Sequence, residues 1–162
     1  MKVLPIILCF AVSAAVSTGC GTAGKVRPDS FSDRVNVKTL EGPLKKMSDF
    51  KGKVVFFTVW TTWCGHCTAE LEKLMETYNK YKDRDFIIVA ASDDDPEKVK
   101  EFIKSKNYPY YFCLADRDSL GKSGYQVIAY PTLYIIDKEG RAAACMVGAL
   151  PDDTFTDYLL DR

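Results

Sequence analysis

Apolar and polar positions along the chain predict short strands and helices that alternate. Residues 35–40 alternate between the two kinds, a turn follows at Glu41-Gly42, and Pro43-Leu44 begins a return, which is typical of a β-hairpin. Residues 54–60 are an almost unbroken run of β-branched and aromatic side chains. Such a run is expected of a central strand that is buried on both faces.

After this strand the apolar residues recur at intervals of three and four, as they do on one face of an amphipathic helix. They are Leu71, Leu74, Met75, Tyr78 and Tyr81. A helix is therefore predicted over residues 64–82, with a cysteine at its start.

The rest of the chain continues the alternation. Further strands are predicted at 86–91, 110–114, 132–137 and 142–147, and further helices from Asp95, over 118–125 and from Pro151. A hairpin turn at 138–141 joins the last two strands. This order predicts an α/β domain with a central mixed β-sheet flanked by helices and an N-terminal β-hairpin.

The first residues have the order of a secretory signal. One lysine precedes an apolar stretch over 3–16, and small residues lead to Cys20. Gly19-Cys20 resembles a bacterial lipobox, whose cysteine is lipidated, although Ser17 stands where the motif usually has Leu. Ordinary signal peptidase cleavage and an unmodified Cys20 are the alternatives. The predicted division is a signal peptide at 1–19, a tether at 20–33 and one domain at 34–162.

Composition and charge restrict the classes of function. The 162 residues are 47% hydrophobic, which suffices for one core, and 22 basic residues balance 22 acidic ones. Charge alone therefore attracts neither nucleic acid nor an anionic membrane surface. We expect a monomer that binds no nucleic acid and is held at a membrane only by an N-terminal lipid.

The six cysteines have different surroundings. One lies in the predicted leader and Cys20 at its cleavage point, while Cys64 and Cys67 have the spacing Cys-x-x-Cys. Cys113 and Cys145 lie in apolar segments and are predicted to be buried free thiols. A disulfide between these two is the alternative in an exported domain.

A Cys-x-x-Cys pair at the start of a helix supplies what thiol-disulfide exchange needs. Such a position lowers the pKa of a thiol from about 8.5 to between roughly 3.5 and 7.5. Cys64 would then attack, and Cys67 would resolve the mixed disulfide. Half of a zinc site is the alternative, but His66 is the single histidine and there is no second ligand pair. Cys64, His66 and Cys67 are also poorly spaced to surround a copper ion. Neither a metal nor another cofactor is therefore predicted.

Several segments resemble a known family. Residues 60–67, Trp-Thr-Thr-Trp-Cys-Gly-His-Cys, resemble the active-site segment of the thioredoxin superfamily, and Tyr130-Pro131-Thr132 resembles its cis-proline loop. Lys-Gly-Lys-Val-Val at 51–55, Glu70, and Ile-Asp-Lys-Glu-Gly-Arg at 136–141 extend the likeness to the membrane-anchored TlpA/ResA-like branch. The resemblance covers residues 35–160, and its motifs occur in the family's order.

The resemblance implies roles for the matching residues. Pro131 would be a cis-proline packed against the cysteine pair, and the backbone of Tyr130 would pair with a substrate strand. Thr132 would belong to the same substrate-binding loop. Trp63, beside the first cysteine, is expected to form a partly exposed substrate platform.

Two differences from the family concern proton transfer and redox potential. Thr58 stands where thioredoxin has a buried Asp, so proton transfer is left to Glu70, His66 or water. Glu70 is either a carboxyl group with a raised pKa near Cys67 or a solvated residue on the helix surface. Gly-His between the cysteines is the dipeptide of protein disulfide isomerase domains. We therefore expect a potential between about −270 mV, as in thioredoxin, and about −180 mV, as in the isomerase.

The predicted leader and the resemblance together imply an exported thiol-disulfide oxidoreductase, lipid-anchored in the bacterial cell envelope, periplasmic or extracytoplasmic. It would reduce or exchange disulfides of exported proteins, including those of cytochrome c maturation, with electrons from a membrane thiol reductant. A disulfide oxidase or isomerase, and a lipoprotein that only binds, are the alternatives. A peroxiredoxin would need a Pro-x-x-x-Thr-x-x-Cys segment, and Trp-Cys-x-x-Cys stands in its place.

Overall fold

The computed structural model of the chain describes residues 31–40 and 44–162. The strands are β1 Asn36–Thr39, β2 Leu44–Lys46, β3 Val54–Trp60, β4 Phe86–Ser92, β5 Tyr111–Leu114, β6 Thr132–Ile136 and β7 Ala142–Val147. The helices are α1 Phe31–Arg34, α2 Gly65–Tyr81, α3 Pro96–Lys104, α4 Arg117–Lys122 and α5 Asp153–Leu160, with a 3-10 turn at Met47–Phe50. Within these residues, the strands form one sheet in the order β2-β1-β5-β4-β3-β6-β7.

The sheet is mixed, and β3 lies inside it. β3 is parallel to β4 and antiparallel to β6, while antiparallel hairpins, β1 with β2 and β6 with β7, form the two edges. Every residue of β3 is buried, since its alternate side chains enter two apolar cores on opposite faces of the sheet. The predicted α/β class, the central mixed sheet and the N-terminal hairpin are confirmed.

The fourth helix is shorter than predicted. The sequence pattern placed it over residues 118–125, whereas α4 is Arg117–Lys122. Gly124 adopts a φ of 90°, a left-handed conformation that ends a helix without the steric cost of a side chain. The chain turns there, and the N–H of Tyr125 donates to the carbonyl of Leu120 at 2.9 Å.

The folded domain begins earlier than predicted. Phe31, which falls in the predicted tether, is 0% exposed and lies in a core. Its ring packs edge-to-face on Phe57 at 5.2 Å and on Tyr125 at 4.5 Å between centroids. The core therefore includes a residue of the predicted tether, three positions before the predicted domain boundary at residue 34. The sequence pattern did not predict this burial, because one aromatic residue among Gly, Pro and Ser leaves the composition of the segment polar.

The predicted signal peptide, Cys20 and most of the predicted tether lie outside the described residues and stay predictions. Among the residues that are described, no helix has the length and apolar character needed to cross a membrane.

The two remaining cysteines differ from each other. Cys113 is a buried free thiol on β5, as predicted. Cys145 is not a free thiol, so the prediction for it is wrong, and the alternative disulfide between Cys113 and Cys145 is not formed. Cys145 lies half-buried on the edge strand β7, whereas Cys113 is buried on β5.

Candidate active site

Cys64 lies at the N-cap of α2, at the end of the loop that follows β3. Its Sγ accepts a hydrogen bond from the backbone N–H of Cys67 at 3.2 Å, and the same sulfur forms a disulfide with Cys67. An N-cap acceptor satisfies an otherwise unpaired N–H at the positive end of the helix dipole. In the reduced state this position favours a negatively charged sulfur.

The two sulfurs differ in accessibility. Cys64 is 9% exposed, whereas Cys67, one helical turn further on, is 0% exposed. A substrate disulfide therefore has access to Cys64 and not to Cys67. This difference supports the predicted roles of Cys64 as the attacking residue and Cys67 as the resolving residue.

The cis-proline loop lies at the same end of the sheet as the cysteines. Since β6 is antiparallel to β3, Thr132 at the start of β6 pairs with Val59 near the end of β3. The Tyr130-Pro131 peptide bond is cis, as the resemblance implies. The N–H of Gly148, just after β7, donates to the carbonyl of Pro131 at 3.0 Å and holds the loop from its other side.

Thr132 packs inside the protein instead of facing a substrate. Its side chain is wholly buried, and its hydroxyl donates to the carbonyl of Ala129 at 2.7 Å. The side chain therefore has no exposed surface with which to touch a substrate. Its place in the structure is to fix the shape of the loop.

Trp63 and Tyr130 form an aromatic surface next to the disulfide. Trp63 is 71% exposed, and its ring meets that of Tyr130 edge-to-face at 5.9 Å between centroids. The guanidinium of Arg117 lies 5.5 Å from the centroid of the Tyr130 ring. His66 is also exposed, on the first turn of α2. The exposed position of Trp63 agrees with the predicted platform.

Glu70 is a buried carboxyl group and not a solvated residue of the helix surface. It is 6% exposed, and its Oε1 accepts a hydrogen bond from the hydroxyl of Thr58 at 2.8 Å. Its Oε2 has no hydrogen-bond partner among the described residues. Burial raises the pKa of Glu70 from 4.5 to about 7, against the opposing effects of the Thr58 hydrogen bond and the charge of Lys73. Glu70 can therefore exchange a proton near neutral pH.

A groove of about 420 Å³ runs past this carboxyl group. It is lined by α2, the cis-proline loop and the segment after β7, through His66, Ala69, Glu70, Lys73, Tyr130, Pro131, Gly148, Ala149 and Leu150. Its lining mixes apolar residues with the polar side chains of His66, Glu70, Lys73 and Tyr130. The groove thus offers space for a substrate segment and a path for a proton between Glu70 and solvent.

Comparison with known proteins identifies the family. The sequence profile described as the AhpC/TSA family matches residues 30–144, most of the chain. The chain belongs to the AhpC/TSA family. Its relatives include the thiol-disulfide oxidoreductase ResA of Bacillus thuringiensis subsp. konkukian, 31% identical over 159 residues that cover 97% of this chain and 91% of that protein. ResA of Bacillus subtilis is 30% identical over 142 residues, 85% of this chain and 78% of that protein.

Solved structures of thiol-disulfide redox proteins have the same fold. The thioredoxin domain of a thiol-disulfide oxidoreductase from Bacteroides vulgatus is 26% identical, with a TM-score of 0.69, over 83% of this chain and 99% of that chain. A thiol:disulfide interchange protein from Bacteroides sp. is 25% identical, also with a TM-score of 0.69, over 85% of this chain and 92% of that chain. This AhpC/TSA-family protein is thus a thiol-disulfide oxidoreductase of thioredoxin-like fold.

The sequence pattern did not predict a role for two acidic residues of this site, Asp93 and Asp94. Asp93 Oδ2 accepts a hydrogen bond from the hydroxyl of Tyr130, and Asp94 Oδ2 accepts two from Thr62. The available signal was a run of aspartates directly after a buried strand, at the carboxyl edge of a sheet where sites form. Among the described residues there is no cluster of three or more His, Cys, Asp or Glu side chains that could hold a metal ion.

Proposed function

We propose that this oxidoreductase is an exported reductase of disulfides in cell-envelope proteins. The observation that carries the proposal is an accessible sulfur, Cys64, in front of an enclosed sulfur, Cys67, with the ionisable carboxyl group of Glu70 on the same helix. Electrons would come from a membrane thiol reductant, and a lipid on Cys20 would keep the domain at the membrane. The relatives named ResA support the redox chemistry.

The exchange proceeds in two balanced steps. The Cys64 thiolate attacks one sulfur of a substrate disulfide, so that a mixed disulfide forms and the other substrate sulfur leaves as a thiolate. Cys67, as a thiolate, then attacks Cys64 Sγ and releases the second substrate sulfur. The substrate gains two electrons and takes up two protons, and the enzyme ends with the Cys64–Cys67 disulfide.

Glu70 is proposed to accept the proton of Cys67 before the second step. It lies three residues after Cys67 on α2, and residues at that spacing are neighbours on a helix. A carboxyl group with a pKa of about 7 is a more effective base near neutral pH than one with an ordinary pKa. Thr58, whose hydroxyl donates to Oε1, holds the carboxyl group in this buried position.

Two experiments test this proposal. Catalysis of insulin reduction by dithiothreitol is expected for the purified domain, and a protein that uses the fold only for binding would give no acceleration.

Cell fractionation is expected to find the full chain in the membrane and a Cys20→Ala variant released from it, whereas equal distribution of the two would contradict the anchor. The thiols of cytochrome c precursors are the substrate class proposed from the resemblance to the TlpA/ResA-like branch.

Replacement of His66 by proline is expected to make the midpoint potential more negative. The exposed imidazole between the two cysteines stabilises the reduced pair by favouring the thiolate. The shift should amount to some tens of millivolts, since about 90 mV separates thioredoxin from the isomerase. Equilibration with glutathione measures the midpoint potentials of the wild type and the variant. A more oxidising potential for the variant would contradict this role.

The same measurement separates reductase from oxidase or isomerase. A wild-type potential of about −270 mV favours transfer of electrons to substrate disulfides. A value of about −180 mV or above favours oxidation or isomerisation. The Gly-His dipeptide is the feature that favours the second outcome.

A further inference from the structure

The loop after β4 carries three consecutive aspartates, Asp93, Asp94 and Asp95. Its backbone is fixed to the end of β3, since the N–H of Asp93 and the hydroxyl of Ser92 both donate to the carbonyl of Trp60 at 3.2 Å. The loop therefore starts from a rigid point next to residues 61–64, which join β3 to α2 and are called the cysteine loop below.

The first two aspartates bond to different parts of the active site. Asp93 Oδ2 accepts a hydrogen bond from the hydroxyl of Tyr130 at 2.5 Å, in the cis-proline loop. Asp94 Oδ2 accepts from the N–H of Thr62 at 3.2 Å and from its hydroxyl at 2.5 Å, in the cysteine loop. Asp95 instead caps α3, accepting from the N–H groups of Glu97 at 3.0 Å and Lys98 at 3.3 Å.

We propose that Asp93 and Asp94 are positioning residues that fix the cis-proline loop and the cysteine loop relative to each other. Trp63 and Tyr130 then present one fixed surface to a protein substrate. This inference rests on the proposed reduction of protein disulfides. It assigns no chemical step to either aspartate, because neither side chain is hydrogen-bonded to a sulfur within residues 31–40 and 44–162.

The hydrogen bonds that Asp93 and Asp94 accept from hydroxyl groups are of a strong type. A carboxylate that accepts from a hydroxyl makes a short, charge-assisted hydrogen bond. Partial burial opposes ionisation of Asp94, but the hydrogen bonds from Thr62 and from the N–H of Asp95 keep its pKa below the ordinary value. Partial burial and the Asp93 carboxylate raise the pKa of Tyr130 to about 12, so its hydroxyl keeps the donated proton at physiological pH.

Tyr130 is thereby held on three sides. Asp93 fixes its hydroxyl, Trp63 meets its ring edge-to-face, and the guanidinium of Arg117 lies over the ring. Fixing these side chains before the substrate arrives removes part of the entropy cost of ordering them on binding. Loss of the Asp93 bond should therefore weaken the binding of a protein substrate more than it slows the exchange of bound sulfurs.

The test compares KM with kcat for insulin reduction. Asp93→Ala is expected to raise KM about tenfold, the usual scale for a lost hydrogen bond to a charged group, while kcat changes less than about twofold. Tyr130→Phe removes the same bond from the other side and should give a similar increase. The double variant should be no worse than either single one, as expected for two halves of one interaction. Asp94→Ala is expected to raise KM in the same way.

Asp95→Ala is the matched control. It removes the same charge from the same loop and weakens the start of α3, but breaks no bond to either active-site loop, so its KM should equal that of the wild type. Asp93→Asn keeps an acceptor oxygen for Tyr130 and should restore most of the affinity. Additive effects of Asp93→Ala and Tyr130→Phe, or an equal rise of KM in Asp95→Ala, would overturn the inference. If the wild type failed to reduce insulin at all, the proposed function would be at fault instead.

Discussion

Replacement of Cys64 by serine is expected to reduce the rate of insulin reduction to that of dithiothreitol alone. The accessible sulfur is then gone, and Cys67 is 0% exposed and cannot take its place. Replacement of Cys67 by serine should also stop turnover, but Cys64 can still attack, so this variant should accumulate a mixed disulfide with the substrate. Turbidity of the released insulin chain measures the rate, and non-reducing mass spectrometry detects the mixed disulfide.

Cys113→Ser is the control for both cysteine variants. Cys113 is a buried free thiol on β5 and should contribute nothing to exchange, so this variant should match the wild type. Trapping by Cys64→Ser in place of Cys67→Ser would show that the two roles are reversed.

Replacement of Glu70 by glutamine is expected to slow exchange and to stabilise the protein. Loss of a positioned base should cost about a hundredfold in rate at neutral pH. In the wild type the rate should rise as pH increases through about 7, where Glu70 loses its proton, and this rise should be absent from the variant. Stopped-flow measurements of substrate reduction between pH 5 and 9 would show both effects. A variant that keeps the wild-type rate and pH profile would remove Glu70 from the mechanism.

The effect on stability follows from the raised pKa. Between pH 4.5 and about 7 the folded protein keeps the Glu70 proton and the unfolded chain loses it. The folded state therefore binds more protons, and the contribution of Glu70 to stability becomes more unfavourable as pH rises, to a cost on the order of 3 kcal/mol above the folded pKa. Urea denaturation should show Glu70→Gln stabilised at pH 8 and nearly unchanged at pH 4. Glu76→Gln, at an exposed position of the same helix, should show no such pH dependence.

The cysteine site could be predicted because its determinants are local in sequence. The apolar run of β3 and the apolar spacing of α2 placed Cys64 at a helix start, and the structure makes Cys64 the N-cap of α2. A motif next to an element boundary needs no knowledge of the rest of the fold.

Features that depend on distant contacts could not be predicted. Burial of Glu70 depends on its packing near β3, where Thr58 supplies its hydrogen bond. The bond between Tyr130 and Asp93 joins residues 37 positions apart, and Phe31 is buried by side chains from β3, β6 and the segment after α4. Neither composition nor periodicity within one segment contains such information.

Alkylation of the reduced protein as a function of pH tests the central claim most directly. Iodoacetamide followed by mass spectrometry identifies which cysteine reacts and at what rate. The account predicts that Cys64 reacts first and reaches half of its maximal rate well below the value of about 8.5 for an ordinary thiol, while Cys67 and Cys113 stay protected. A Cys64 that stays unreactive until alkaline pH, or a Cys67 that is alkylated before it, would contradict the account.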